Sequence, residues 1–142
     1  MQISSRFTVA VHVLICIEMF KNEQKVTSDF LASSVNANPV VIRRILQQLK
    51  KAGIVSVVRG SGGADTARPI NQITLLDVYN AVECVNGGTL FHFHEKPNQL
   101  CPVGRNIHTV LDGRLDEIQK AMEREMNSVT IQDILIDTKK LM

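Results

Sequence analysis

Residues 27–68 constrain the fold of this chain more than any other part. They hold two short stretches with helical spacing of apolar residues, a polar turn between them, and then a β-branched run broken by glycines. Thr27 is a good N-cap for the first helix. Asn36 and Asn38 make the turn, and Pro39 suits the first position of the second helix, where a backbone N–H would have no partner anyway. This order predicts a helix-turn-helix followed by a hairpin.

The second of these helices is apolar on one side and basic on the other. Its apolar stripe is formed by four aliphatic residues at steps of three and four, Ile42, Ile45, Leu46 and Leu49. Such a stripe anchors a recognition helix on its domain while the outer side chains enter the major groove, where all four base pairs differ. We expect Arg43 and Gln47 to meet base edges, and Arg44, Lys50 and Lys51 to meet phosphates, which add affinity without sequence information.

The hairpin that follows has a glycine-rich tip, Gly60-Ser61-Gly62-Gly63, between residues 54–59 and 64–68. In a winged helix-turn-helix this hairpin is the wing. Arg59 at its base is placed to enter the minor groove, where narrow A·T tracts concentrate negative potential. The alternative is an ordinary hairpin whose arginine is solvated. The position directly after a basic helix favours contact with DNA.

The charge distribution agrees with a nucleic-acid-binding first half. Residues 1–70 carry nine Lys or Arg against four Asp or Glu, whereas residues 71–142 carry seven against ten. This asymmetry is typical of a DNA-binding unit joined to a unit with another role. The predicted DNA-binding residues are Ser28, Asn38, Val40, Arg43, Arg44, Gln47, Lys50, Lys51, Arg59, Ser61 and Gly62.

Further helices are predicted on either side of this motif. Residues 3–20 are apolar on both faces, so we expect two covers for this helix, the second from a partner subunit. Thr74 caps a helix through Val82, and residues 129–135 form a last short helix. Between them, residues 104–126 carry a heptad-like apolar stripe typical of a homodimer interface, namely Leu111, Leu115, Ile118 and Met122.

The cysteines and the apolar runs place the protein in a reducing cytoplasm. Cys16, Cys84 and Cys101 are too few and too scattered for a secreted disulfide framework. The most apolar run, residues 7–17, is shorter than the ~20 residues of a membrane helix, and no cleavage site follows it. We therefore expect a soluble protein that is not exported and has no membrane partner.

Residues 85–103 lack periodicity, and a loop of this length is commonly functional. Cys101 stands immediately before a predicted helix, whose dipole favours a thiolate, so it is a candidate redox sensor. The alternative is a buried, inert cysteine. In an extended segment His92 and His94 share one face, and together with Cys101 they suggest a soft metal site. A strand with its phenylalanines inward has the same alternation, and we assign no metal ligand and no cofactor.

The chain also resembles the Rrf2 family of regulators, which contains IscR, NsrR and CymR. The resemblance is most specific in residues 49–63, LKKAGIVSVVRGSGG, which match the family's helix-to-wing segment. The order and spacing of SRF at residues 5–7, ITLLDV at 73–78 and VTIQD at 129–133 agree as well. The resemblance to this family implies a homodimer with crossed long helices, two recognition helices on a palindromic operator, and a sensory loop at residues 85–103.

Two departures from the family pattern limit what the resemblance implies. Members that bind an iron–sulfur cluster place three closely spaced cysteines in the loop, whereas this loop contains only Cys101, with Cys84 just outside. A typical three-thiolate site is therefore not expected. Arg43 stands where those members tend to have an acidic residue, so their operator does not transfer to this chain.

Together these patterns predict a mainly α fold with a small β-hairpin wing. The units are a winged helix-turn-helix at residues 1–84, a sensory loop at 85–103, and a dimerisation helix with a C-terminal helix at 104–142. We expect a homodimeric regulator of double-stranded DNA, most simply a repressor that occludes a promoter, and no catalytic residue. Its effector and operator are unknown.

Two alternatives stay open. A metal- or cluster-binding sensor would be coloured or carry metal when purified. A winged-helix module that docks a protein would lack the steep loss of duplex affinity with salt.

Overall fold

The computed structural model describes residues 3–60, 62–82 and 88–142. The elements in these residues confirm a mainly α fold with one antiparallel hairpin. In chain order they are α1 (Arg6–Phe20), α2 (Ser28–Val35), α3 (Pro39–Lys51), β1 (Val55–Val58), β2 (Gly63–Thr66), a 3-10 turn (Ile70–Gln72), α4 (Leu75–Ala81), α5 (Pro102–Ser128) and α6 (Ile131–Lys140).

The turn between α2 and α3 is built by the polar residues that the sequence indicated. The Thr27 side chain accepts a hydrogen bond from the Phe30 N–H at 3.2 Å and caps α2. Asn36 adopts the left-handed conformation at φ 60°, which ends that helix. The Asn38 side chain then accepts from the Val40 N–H at 2.8 Å and begins α3. These local bonds set where α3 starts and in which direction it leaves the turn.

Helix α1 lies at the centre of the core. Its residues Ala10, Val13, Leu14 and Ile17 are fully buried, and α2, α3, β2, α4 and α6 all pack against it. The expected second cover for α1 therefore comes in part from α6 of the same chain. Ile131 and Leu135 of α6 belong to the same buried cluster, because the apolar face of that helix turns back onto α1.

Three of the helix boundaries that differ from the predicted ones have a local cause. Helix α1 begins at Arg6, because the Ser4 hydroxyl accepts from the Arg6 N–H at 3.2 Å and makes a turn before the helix. Helix α5 begins at Pro102, where a proline fits the first turn. Helix α6 continues to Lys140, since no glycine or proline interrupts it. No helix in the described ranges has both the length and the apolarity to cross a bilayer.

The N-termini of α4 and α6 have matching capping boxes and are joined to each other by two backbone hydrogen bonds. In each box a threonine hydroxyl accepts from the backbone N–H of an aspartate three residues later. The aspartate side chain in turn accepts from the backbone N–H of the threonine. The pairs are Thr74 with Asp77, and Thr130 with Asp133. The Leu75 N–H donates to the Val129 carbonyl at 2.9 Å, and the Ile131 N–H donates to the Ile73 carbonyl at 2.8 Å. The end of α5 is thereby fastened to the helix-turn-helix unit.

The wing is attached to the core at Gly63. This residue has φ +81°, and a Cβ there would lie 2.9 Å from the backbone nitrogen of Val26. The close approach lets the Ala64 N–H donate to the Val26 carbonyl at 2.8 Å, so that β2 is bonded to β1 on one side and to Val26 on the other. These backbone hydrogen bonds therefore fix the end of β2 nearest the wing tip on the core.

We predict that Gly63→Ala lowers the free energy of unfolding by roughly 2–4 kcal/mol, because it adds a backbone collision to a left-handed conformation. Gly53→Ala is the matched control: its φ is +75°, but nothing lies within 4 Å of a Cβ built there. It should cost only about 1–2 kcal/mol. Urea unfolding followed by circular dichroism measures both values, and equal losses would contradict the proposed contact at Val26.

Candidate nucleic-acid interface

The outer face of α3 is a mostly polar, basic surface. Burial of Ile42, Ile45, Leu46 and Leu49 against the core fixes the rotation of this helix about its axis. Seven side chains are consequently exposed: Val40, Val41, Arg43, Arg44, Gln47, Lys50 and Lys51. The predicted division of α3 into a buried stripe and a basic outer face agrees with the structure.

The positive charges on this surface are not neutralised by the protein. Arg43, Arg44, Lys50 and Lys51 lie on a helix without any carboxylate, whereas the longer α5 alternates cations with acids. Within the described ranges, none of these four residues forms an ion pair with a carboxylate, and neither does Arg59 of the wing. Five cations are thus available to an external polyanion.

An open cleft separates α3 from the wing. Arg43, Gln47 and Lys50 line it from α3, and Val57 and Arg59 line it from β1 and the residue that follows. The N-terminus of α2 closes one end with Ser28, next to the carboxylate of Asp29. The cleft brings base-reading candidates of the helix and the wing arginine to one side of the molecule.

The predicted site residues differ in their exposure and in the contacts that they already make within the protein. The Asn38 oxygen accepts the N-cap bond from the Val40 N–H, while its amide NH₂ makes no such bond to the helix. Arg59 is exposed and precedes Gly60, whose φ of +77° turns the chain at the wing tip. Gly62 packs against the Val58 side chain. Ser61 lies outside the described residues.

Cys101 is exposed at the start of α5, where it is the N-cap residue. The backbone N–H groups of Gly104 and Val103, in the first turn of α5, hold the pKa of the thiol below its usual value. Gly104 is also the point at which the Asn98 carbonyl approaches α5 closely enough to exclude a Cβ. Cys101 is therefore exposed, contrary to the alternative interpretation of a buried, inert cysteine.

The loop before α5 is bound along that helix by two side chains that sequence reasoning missed. The His108 ring donates to the His94 carbonyl at 3.0 Å and stacks on Phe93, with ring centroids 4.5 Å apart. Further along, the Gln119 side chain accepts from the Leu90 N–H at 2.9 Å. These partners are 14 and 29 residues apart in sequence, and no local pattern indicates such pairs.

In the part of the chain that the structure describes, no three His, Cys, Asp or Glu side chains are grouped in a way that could hold a metal ion. Cys16 is buried in α1, with its sulfur 3.2 Å from the Ser34 hydroxyl. Cys84 lies outside the described residues.

Comparison with known proteins gives one consistent family. The model of the Rrf2 family, described as an iron-dependent transcriptional regulator, matches residues 3–137. YwnA of Bacillus subtilis, which carries the name of an HTH-type transcriptional regulator, is 42% identical over 133 residues, or 94% of this chain and 96% of that protein.

Solved structures show the same fold at lower identity. IscR of T. potens superposes with a TM-score of 0.72 at 21% identity and covers 99% of this chain and 90% of that one. CymR of B. subtilis, the global cysteine regulator, superposes with a TM-score of 0.70 at 18% identity, covering 95% of this chain and 96% of that one. At these identities the likeness extends to the fold and not to the ligand.

Proposed function

Since this chain belongs to the Rrf2 family and is a DNA-binding transcription regulator, we propose that it acts in the cytoplasm as a homodimeric repressor. Two protomers bind a palindromic operator and block access to the promoter. The observation that carries this proposal is the surface of five unpaired cations on α3 and the wing, which faces away from the core. A winged helix presents these elements to DNA in this way.

Within the interface, we assign base readout to the line of Val40, Arg43 and Gln47 along α3. Arginine pairs with guanine and glutamine with adenine through two hydrogen bonds each, and an aliphatic side chain contacts the thymine methyl group. Val40 is 51% exposed at the N-terminal end of a mostly polar face, which suits this last role. Phosphates are assigned to Arg44, Lys50, Lys51 and the N-terminus of α2 at Ser28. Arg59, with Ser61 and Gly62, is assigned to the minor groove.

We predict that Val40 makes one thymine in each half-site sensitive to loss of its methyl group. In a duplex selected from a random pool, replacing that thymine by deoxyuridine should weaken binding about fourfold per half-site, the equivalent of ~0.8 kcal/mol for a buried methyl group. Val40→Ala should bind both duplexes equally, as judged by fluorescence anisotropy at fixed salt. Val41→Ala, a neighbouring exposed valine, is the control and should retain the parent's sensitivity. The same sensitivity in Val40→Ala as in the parent would contradict the assignment.

The homodimer is proposed on the exposure of α5. This helix has 27 residues, none of which is buried within the protomer. Leu111, Leu115 and Met122 are half-buried, whereas the apolar side chains of Val103, Val110 and Ile118 are 68%, 60% and 52% exposed. Their spacing of seven and eight places them on one stripe of the helix. Apolar stripes of this length are normally covered by another subunit.

We predict that Val110→Asp combined with Ile118→Asp converts a dimer into monomers, since two carboxylates per chain would be buried in the proposed contact. The matched control is Thr109→Asp combined with Asn127→Asp, which adds the same charge at exposed positions on another face of α5. Light scattering gives the mass of each. An unchanged dimer in the first variant, or dissociation of both variants, would rule out this stripe as the interface.

Cys101 is proposed as the redox sensor. The thiolate sulfur attacks one oxygen of a peroxide, so that an S–O bond forms, the O–O bond breaks and hydroxide leaves. The product is a sulfenic acid. The added oxygen lies where the loop meets α5, so it alters the contact between the loop and the proposed dimer helix. Because half-sites are ~34 Å apart, a small change in the spacing of the two α3 helices weakens the complex.

We predict that peroxide releases the parent protein from its operator and that Cys101→Ser stays bound under the same treatment. Thiol reductant added afterwards should restore binding of the parent. Cys16→Ser is the control. This substitution should leave the response to peroxide unchanged, because the Cys16 sulfur is buried. If Cys101→Ser is released as readily as the parent, Cys101 is not the sensor.

A further inference from the structure

A side-chain network connects the end of α1 to the wing. One carboxylate oxygen of Glu18 accepts from the Thr66 hydroxyl at 2.7 Å and from the Lys21 ammonium group at 2.9 Å. Lys21 also lies 3.3 Å from the Asp65 carboxylate. The Glu18 side chain is only 13% exposed, so solvent screens these contacts less than it screens a surface ion pair. We call Glu18, Lys21, Asp65 and Thr66 the wing brace.

The brace attaches β2, the wing strand that contains no cation, to the end of α1. Asp65 and Thr66 belong to β2, which pairs with β1 from Val55↔Thr66 to Val58↔Gly63. Arg59 follows directly after β1. On the side of β2 away from β1, the Ala64 N–H donates to the Val26 carbonyl. The brace adds a second attachment at the base of the strand, so the angle between wing and core depends on contacts at both ends of β2.

We propose that Glu18 and Thr66 are positioning residues for DNA binding, which act by fixing the wing so that Arg59 is held at the minor groove. This inference rests on the proposed function, specifically on the contact of Arg59 with DNA. A wing that is already ordered loses less conformational freedom on binding, and the affinity rises accordingly. None of the four brace residues needs to touch DNA for this effect.

The brace contains two carboxylates and one ammonium group, so its net charge is negative. Lys21 pairs with both Glu18 and Asp65 and offsets part of that charge. The hydrogen bond to Glu18 raises the pKa of the Lys21 ammonium group. Its positive charge reduces the repulsion between the wing and phosphates.

The test is a double-mutant cycle between Thr66 and Arg59, with dissociation constants measured on a duplex selected by the parent protein. Thr66→Val removes the hydroxyl donor and keeps the shape of the side chain. It should weaken binding by roughly three- to tenfold, the range expected for one hydrogen bond. In the Arg59→Ala background the same change should have no effect on affinity, because the group that it positions is gone. Thr8→Val is the control, since that hydroxyl bonds only to its own helix turn at Ser5.

Each other outcome overturns the proposal. Equal losses with and without Arg59 would mean that Thr66 acts on general stability or on a different contact. No loss from Thr66→Val, while Arg59→Ala alone weakens binding, would disprove the brace and leave the wing contact standing. No loss from Arg59→Ala alone would contradict the wing contact itself, and the brace with it.

Discussion

The candidate DNA-binding surface depends on the burial of one apolar stripe. Ile42, Ile45, Leu46 and Leu49 fix the rotation of α3 on the core around α1, and each contributes about 1.5–3 kcal/mol by leaving water. With the stripe buried, the basic side chains of α3 have no direction except outward. Because α3 itself carries no carboxylate, its cations remain free for an external partner. The packing of the core thus determines the chemistry of the surface.

The parts of the fold that follow from local sequence could be predicted. The spacing of apolar residues indicates α3, the caps at Thr27 and Asn38 place the turn, and the glycines after Arg59 indicate a hairpin. Each of these signals acts within a few residues, and the structure confirms the fold class that they imply. The side chains that form the outer face of α3 could be predicted as well, because the period of a helix alone determines which residues share a face.

The parts that depend on contacts between distant residues could not be predicted. Glu18 and Thr66 are 48 residues apart, and Leu90 and Gln119 are 29 apart, with no pattern that pairs them. The return of α6 onto α1 is of the same kind, because an amphipathic helix indicates a buried face without naming its partner. The assignment of individual residues to bases, phosphates and sensing remains a prediction, since it concerns partners outside the protomer.

The central claim is that the unpaired cations of α3 bind phosphates, and the salt dependence of operator binding tests it most directly. Each phosphate contact contributes about −0.9 to the slope of log K against log salt concentration. The account predicts a steep slope for the parent and a slope smaller in magnitude by about 2 for a dimer of Arg44→Ala, which loses one contact per protomer. Lys139→Ala, which removes an exposed cation at the end of α6, should leave the slope unchanged. A slope in Arg44→Ala equal to that of the parent would contradict the account.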